Sequence, residues 1–268
     1  MINDETLTNH LRYLGLSNLE HNWDTIMHNA KRARPSYHRL LADIIAQEYH
    51  YRSERARSAR LKRAKIPEIL LMETFPFAKQ PRLNRQMVMQ LYDSLSFLKD
   101  KQDLVFIGPT GCGKTGLTTA YLVHAINQGH RGYFIDFNDL LNLLYQARGD
   151  HTEHKIMRRF SSYEVLAVDE VGYISPEKDQ ANMFFDLLRR RLKNATTIIT
   201  TQLGFEQWGE FLHNPHLTAA LLDRITVNCV VFNMTQCISI RPKNIVYATS
   251  RRQDTDPTQD SSDASADA

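Results

Sequence analysis

Beyond Asp103 the chain alternates short, solid apolar runs with longer repeats at helical spacing. The runs Leu104–Ile107, Tyr133–Asp136, Val165–Asp169, Thr196–Thr201 and Cys229–Phe232 predict strands, since each is short and rich in branched or aromatic side chains. After the first run, Leu117, Ala120, Tyr121, Leu122 and Ala125 recur on one helical face, and Asp139–Ala147, Gln180–Leu192 and Leu217–Leu222 continue the alternation. Apolar strands separated by helices predict an α/β fold, with a parallel five-stranded sheet covered on both faces. In such a sheet a ligand binds outside the carboxyl ends of the strands.

Residues 1–66 follow a different pattern and predict an N-terminal helical domain. Leu7, Leu11 and Leu14, then Leu19, Trp23, Ile26 and Met27, form broken stripes; Pro35-Ser36 reads as a helix start, followed by Leu40, Leu41, Ile44, Ile45 and Glu48 on one side. This helix turns basic at Arg52, Arg55, Arg57, Arg60, Lys62, Arg63 and Lys65, with Glu54 the one acid available to pair. Such a face is either simply solvated or a surface for a polyanion or an acidic protein. Pro67, Pro76 and Pro81 punctuate residues 67–100, an expected junction in which Leu83 to Leu98 resumes a helical pattern. Residues 101–247 hold the alternating region, and residues 248–268, rich in Ser, Thr, Gln and Asp, read as a disordered acidic tail.

Composition changes this picture little. The 268 residues carry a net charge of +3, and no apolar run approaches the ~20 residues needed to span a bilayer. Met1 to Glu5 has neither the basic start nor the apolar stretch of a signal peptide, so a cytoplasmic location without membrane contact is expected. Cys112, Cys229 and Cys237 lack paired spacing, which indicates neither a disulfide framework nor a zinc site.

The chemistry begins at Gly108-Pro109-Thr110-Gly111-Cys112-Gly113-Lys114-Thr115, which fits G-x-x-x-x-G-K-[ST] between a strand and a helix. A glycine-rich turn there lets backbone N–H groups converge on phosphate oxygens at a helix N-terminus. Lys114 would reach the β- and γ-phosphates, and the Thr115 hydroxyl would ligate Mg²⁺. Val165-Leu-Ala-Val runs into Asp169 and Glu170, setting two acids at a strand's carboxyl end. Asp169 suits the metal and Glu170 the attacking water of a hydrolysis reaction. If the Thr196–Thr201 strand lies between the other two, Thr201 or Gln202 faces the γ-phosphate; the alternative is a strand that simply ends there in polar residues. Arg224 follows an apolar helix beside Asp223, either as a local ion pair or as an arginine finger toward a neighbouring subunit. No Asn-Lys-x-Asp motif follows, which disfavours a GTPase.

With these elements the sequence strongly resembles the IstB-type AAA+ ATPases, transposition helpers of insertion sequences related to DnaC-type helicase loaders. The resemblance covers nearly all of the chain before the tail. It rests most on Val168-Asp-Glu-Val-Gly-Tyr173, Gln202-Leu-Gly-Phe-Glu-Gln-Trp208 and Asn214 to Arg224, and extends to Glu48-Tyr-His-Tyr-Arg52 with the basic residues after it. It implies a P-loop AAA+ (ASCE-type) fold, ATP and Mg²⁺ as cofactors, and self-assembly as a homo-oligomer on double-stranded DNA. It also implies that the assembly deforms DNA and recruits an IstA-type transposase of the DDE class, with DNA-stimulated hydrolysis.

By position, the resemblance makes Lys114, Glu170, Gln202 and Arg224 the catalytic residues. Gly108 to Gly116 with Asp169 would bind the nucleotide, with Phe75 and Phe77 near the base. Lys155, Arg158 and Arg159 become candidates for DNA contact. Two departures stand out: Gln202 replaces the usual Asn, and Gly116 stands where His is frequent. The alternatives are a helicase loader of the same fold and a nucleotide-switched assembly factor that hydrolyses little.

Overall fold

The computed structural model describes residues 4–240; the expected tail over 248–268 lies outside the described residues. Three helices lead: α1 (Asp4–Leu14), α2 (Ser17–Ala33) and α3 (Tyr37–Arg63). Ser36 caps α3 by accepting the Arg39 N–H at 3.3 Å, as the Pro-Ser start predicts. The hairpin is tied by polar groups. Glu48 is buried and accepts the Leu19 N–H at 3.0 Å, while Arg52 donates to the Leu14 carbonyl at 3.1 Å and pairs with Glu48 at 3.5 Å. Glu54 is therefore not the one acid available to the basic helix. Arg52 is spent on the fold, and Arg57 bonds both Glu54 at 3.0 Å and Asn127 at 3.1 Å.

Residues 67–100 join the core rather than hang between domains. Ala64 is buried and its carbonyl accepts the Phe134 N–H at 2.7 Å, stitching the end of α3 to the sheet. Two 3₁₀ turns, Met72–Thr74 and Phe77–Lys79, precede α4 (Arg85–Ser94) and α5 (Ser96–Lys99). The single helix expected from Leu83 to Leu98 is thus two. The Ser94 hydroxyl donates to Gln90 O at 2.7 Å and accepts the Ser96 N–H at 3.2 Å, while Leu95 takes φ 47° and turns the chain. The turn lets Leu95, Phe97 and Leu98 all enter the core.

Then come β1 (Asp103–Ile107), α6 (Lys114–Asn127), β2 (Gly132–Asp136), α7 (Phe137–Gly149), α8 (Glu153–Ser161), β3 (Val165–Val171), α9 (Lys178–Arg191), β4 (Thr196–Thr201), α10 (Trp208–Phe211), α11 (Pro215–Val227) and β5 (Cys229–Asn233). All five strands pair in parallel in the order β2-β3-β4-β1-β5. Successive side chains of a strand point to opposite faces. Leu104 and Phe106 accordingly pack with Leu117, Tyr121, Ile198 and Phe232 on one side, while Val105 and Ile107 pack with Leu140, Val168, Phe184 and Trp208 on the other. The order sets β4 between the strand leading to the glycine-rich turn and the strand carrying the acids. Among the described residues no helix is long and apolar enough to cross a membrane.

Candidate nucleotide site

The carboxyl ends of β1, β3 and β4 open into one cleft of about 490 Å³, within the usual ~300–1,000 Å³ of small-molecule sites. Thr110, Gly111, Gly113, Lys114, Thr115 and Gly116 form its floor, with Asp169, Glu170, Thr200, Thr201 and Gln202 opposite. Gly113 lies at φ 101°, and a Cβ there would come within 2.7 Å of the Phe75 ring and 3.0 Å of Ile240. Only glycine suits both the backbone and the space. Lys114 is 9% exposed, and its Nζ donates to the carbonyls of Gly108 at 2.7 Å and Pro109 at 2.9 Å, inside the turn it would serve.

The Thr115 hydroxyl lies 3.2 and 3.0 Å from the two carboxylate oxygens of Asp169. Thr200 on β4 also donates its hydroxyl to Asp169 and accepts the Glu170 N–H at 2.9 Å. Burial pushes the Asp169 carboxyl above the usual range; donation from Thr200 and Thr115 opposes this, Asp136 adds repulsion, and Lys114 counters it. Glu170 has φ 60°, uncommon for a non-glycine residue, and turns outward as an exposed side chain while Asp169 stays buried. A single kinked strand end therefore presents two acids in two environments.

A hydroxyl and a carboxylate, both hard oxygen donors beside a lysine, fit a magnesium nucleotide. Positive-φ glycines ahead of the α6 N-terminus fit its phosphates. The wall beside them comes from Pro67, Glu68, Leu70, Leu71, Thr74 and Phe75, so the expected junction lines the cleft. Phe75 reaches it. Phe77 does not: it packs edge-on against Phe75 at 4.8 Å with Arg85 over its ring, one layer behind. A Cβ at Gly116 would lie 3.1 Å from the tip of the Leu70 side chain, a tight fit against that wall. Cys112 is fully buried and Pro109 is exposed, and both lie outside the lining of the cleft.

Gln202 lines the cleft just past β4, as the strand order requires. Arg224 falls on α11, with its side chain outside the described residues. On α8, Lys155 and Arg158 are exposed, and Arg158 shares a shallow recess with His154 and Arg190. Arg159 is exposed as well but engaged with its neighbours: it donates to the Tyr133 hydroxyl at 3.2 Å and stacks over the Tyr133 and Phe160 rings at 5.1 and 5.3 Å. Sequence reasoning missed Thr200 and Leu70. The paired threonines closing β4 were the available signal for the first, whereas nothing local marked the second.

A profile of the IstB-like ATP binding protein family matches residues 9–247. A protein of insertion sequence IS21 from Pseudomonas aeruginosa, named for ATP binding, is 31% identical over 84% of each chain. The corresponding protein of IS5376 from Geobacillus stearothermophilus is 30% identical, over 86% of this chain and 91% of its own. Among solved structures, DnaI superposes with a TM-score of 0.50 at 19% identity, over 56% of this chain and 85% of that one. AMPPCP-bound DnaA from Aquifex aeolicus gives 0.51 at 18% identity, over 63% of this chain and 50% of its own. These two likenesses speak for the fold alone. The chain belongs to the IstB-like ATP-binding proteins of insertion sequences and has the AAA+ P-loop fold.

Proposed function

We propose that this ATPase is a transposition helper: it binds ATP with Mg²⁺, assembles on double-stranded DNA, deforms it, and recruits a DDE-class transposase of the IstA type. The observation that carries the hydrolytic part is the divided carboxylate pair. Asp169 is buried against Thr115 and Thr200, whereas Glu170 is turned into the open cleft beside Gln202. Thr115 and Asp169 would hold Mg²⁺, which supplies charge neutralisation to the phosphates when bound. Lys114 contributes a fixed positive charge from the cleft floor. Glu170 accepts a proton from the attacking water, and Gln202, by its amide, helps orient that water. In this reading residues 1–66 form a helical domain for partners and 101–247 the ATPase domain. Arg224 completes the site of a neighbouring copy.

Membership in an insertion-sequence family supports DNA as the partner. Lys155 and Arg158 are the preferred phosphate contacts on α8, with Arg159 held back by its aromatic neighbours. The cytoplasm, where such DNA lies, is the expected compartment. Electron microscopy of the purified chain with a DNA duplex tests the proposal. Oligomers on DNA are expected with ATP, few with ADP, and fewer as salt rises, because phosphate contacts release counterions. A monomer indifferent to nucleotide in the presence of DNA would refute it.

A further inference from the structure

Gln80 is a buried polar side chain that the hydrolytic chemistry does not use. It is 1% exposed, yet its amide is fully engaged. Nε2 donates to the Cys112 carbonyl at 3.0 Å and to the Ile238 carbonyl at 2.6 Å, and Oε1 accepts the Ile238 N–H at 3.1 Å. The side chain thus pairs with Ile238 as a neighbouring strand would, with one further bond to the middle of the phosphate loop. Its backbone is fixed as well: Gln80 N–H bonds Phe77 O at 2.9 Å, closing the turn next to Phe75.

The segment after β5 touches the phosphate loop at several points. Met234 N–H donates to Ile107 O at 2.6 Å, and Ile240 N–H donates to Gly111 O at 2.9 Å. A Cβ on Gly108 would meet the Met234 carbonyl oxygen at 2.8 Å, and Ile240 leans on Gly113 beside Phe75. Gln80 is a side chain at which three segments converge: the turn after Phe77, the phosphate loop and the 234–240 segment.

We infer that Gln80 is a positioning residue for ATP, clamping the phosphate loop through Cys112 O and the 234–240 segment through Ile238, so that the grip on phosphate and the seating of that segment rise and fall together. The inference rests on the assignment of the cleft to ATP. A methionine of similar length keeps the packing but forfeits all three bonds. A glutamate goes further at neutral pH, setting carboxylate oxygen against two carbonyl oxygens. When protonated, it regains one O–H donor while still accepting from Ile238. Burial raises its pKa, so that recovery falls in mildly acidic solution.

The test measures the Kd of a fluorescent ATP analogue, with amide hydrogen exchange, on full-length wild type, Gln80→Met and Gln80→Glu; Lys114→Ala serves as the control for the cleft. Gln80→Met is expected to raise Kd about tenfold or more, as loss of buried hydrogen bonds at this position implies. Exchange should quicken together at Gly111 to Lys114 and at Ile238 and Ile240, while β1 and β3 keep their protection. Gln80→Glu should bind more weakly still at pH 8 and recover toward the Gln80→Met value or better at pH 6, measured relative to wild type at each pH. Wild-type affinity and unchanged loop exchange in Gln80→Met would overturn the inference. If Gln80→Met loses the whole fold, Gln80→Glu decides: a deficit unchanged between pH 8 and pH 6 would overturn it too. A wild-type chain that binds no ATP would instead fail the assignment of the cleft.

Discussion

The two ends of one strand, β4, do different work with the same residue type. At its amino end Thr196 and Thr197 join a buried network. Thr197 N–H donates to Asp103 at 2.6 Å, and the Arg191 guanidinium, 1% exposed, donates to Thr197 Oγ1 at 3.1 Å and to the carbonyls of Phe160 at 2.7 Å and Tyr163 at 2.8 Å. At its carboxyl end Thr200 serves Asp169 and Glu170, and Thr201 lines the cleft. Each end holds a buried carboxylate raised by desolvation, Asp103 to about 6 and Asp169 in the same direction. The carboxyl end lines the cleft and faces the kinked end of β3 at Glu170. The amino end is closed by Arg191, itself pushed down to about 10 by burial. Threonine pairs and buried acids are thus equally at home in scaffolding and in chemistry. What separates the two is access to a ligand.

The largest break in this symmetry should come from Glu170→Gln. Removing a general base typically lowers turnover by about 10²–10⁴, while ATP affinity and unfolding midpoint should stay near wild type, because the side chain is exposed. Thr200→Val comes next. It removes the hydroxyl that bonds both Asp169 and the Glu170 N–H, and should lower kcat by roughly ten- to a hundredfold, corresponding to one or two buried hydrogen bonds. A magnesium titration checks it: the apparent Mg²⁺ requirement should rise, and a kcat within twofold of wild type would deny Thr200 any part in the site.

Asp103→Asn should be the mildest and should spare turnover. In the folded chain Asp103 titrates at about 6 against about 3.8 for the free residue, so the folded state holds a proton that the unfolded chain releases in between. Its contribution to stability is therefore full below pH ~4 and lost as pH rises through about 6. With 1.36 kcal/mol per pKa unit, the swing is about 2–3 kcal/mol. Urea unfolding at pH 4.5, 5.5 and 7 should show that slope in wild type and a flatter one in Asp103→Asn. Equal slopes would show that another group sets the pH response.

Much of this contrast was legible beforehand. The short runs of branched and aromatic residues foretold the strands to within a residue or two, because such side chains suit a pleated, covered surface, and threonine, being β-branched, fits β4 as well. The glycine-rich turn, Asp169 and Glu170 were legible because phosphate and metal chemistry accepts few residue types. Thr200 was harder: a threonine at a strand end looks the same whether it faces Arg191 or Asp169, and only the strand order β3-β4-β1 distinguishes them. Leu70 and Ile240, which line the cleft, and Gln80, which braces the loop from behind, were silent, since long-range folding of locally irregular segments puts them there. The break at Leu95 was missed because helical periodicity continues across it, while a single left-handed residue redirects the chain. Arg159 was grouped with Lys155 and Arg158 by charge alone, and the aromatic rings beneath it became visible only in three dimensions.

The central claim is that ATP is split where β1, β3 and β4 end. Single-turnover analysis of bound nucleotide, with purified full-length chain, magnesium, duplex DNA and limiting ATP, tests it most directly when wild type and Glu170→Gln are run side by side. Wild type is expected to convert its bound ATP to ADP and phosphate, while Glu170→Gln binds as tightly and retains ATP unhydrolysed. Hydrolysis by Glu170→Gln at the wild-type rate would contradict it.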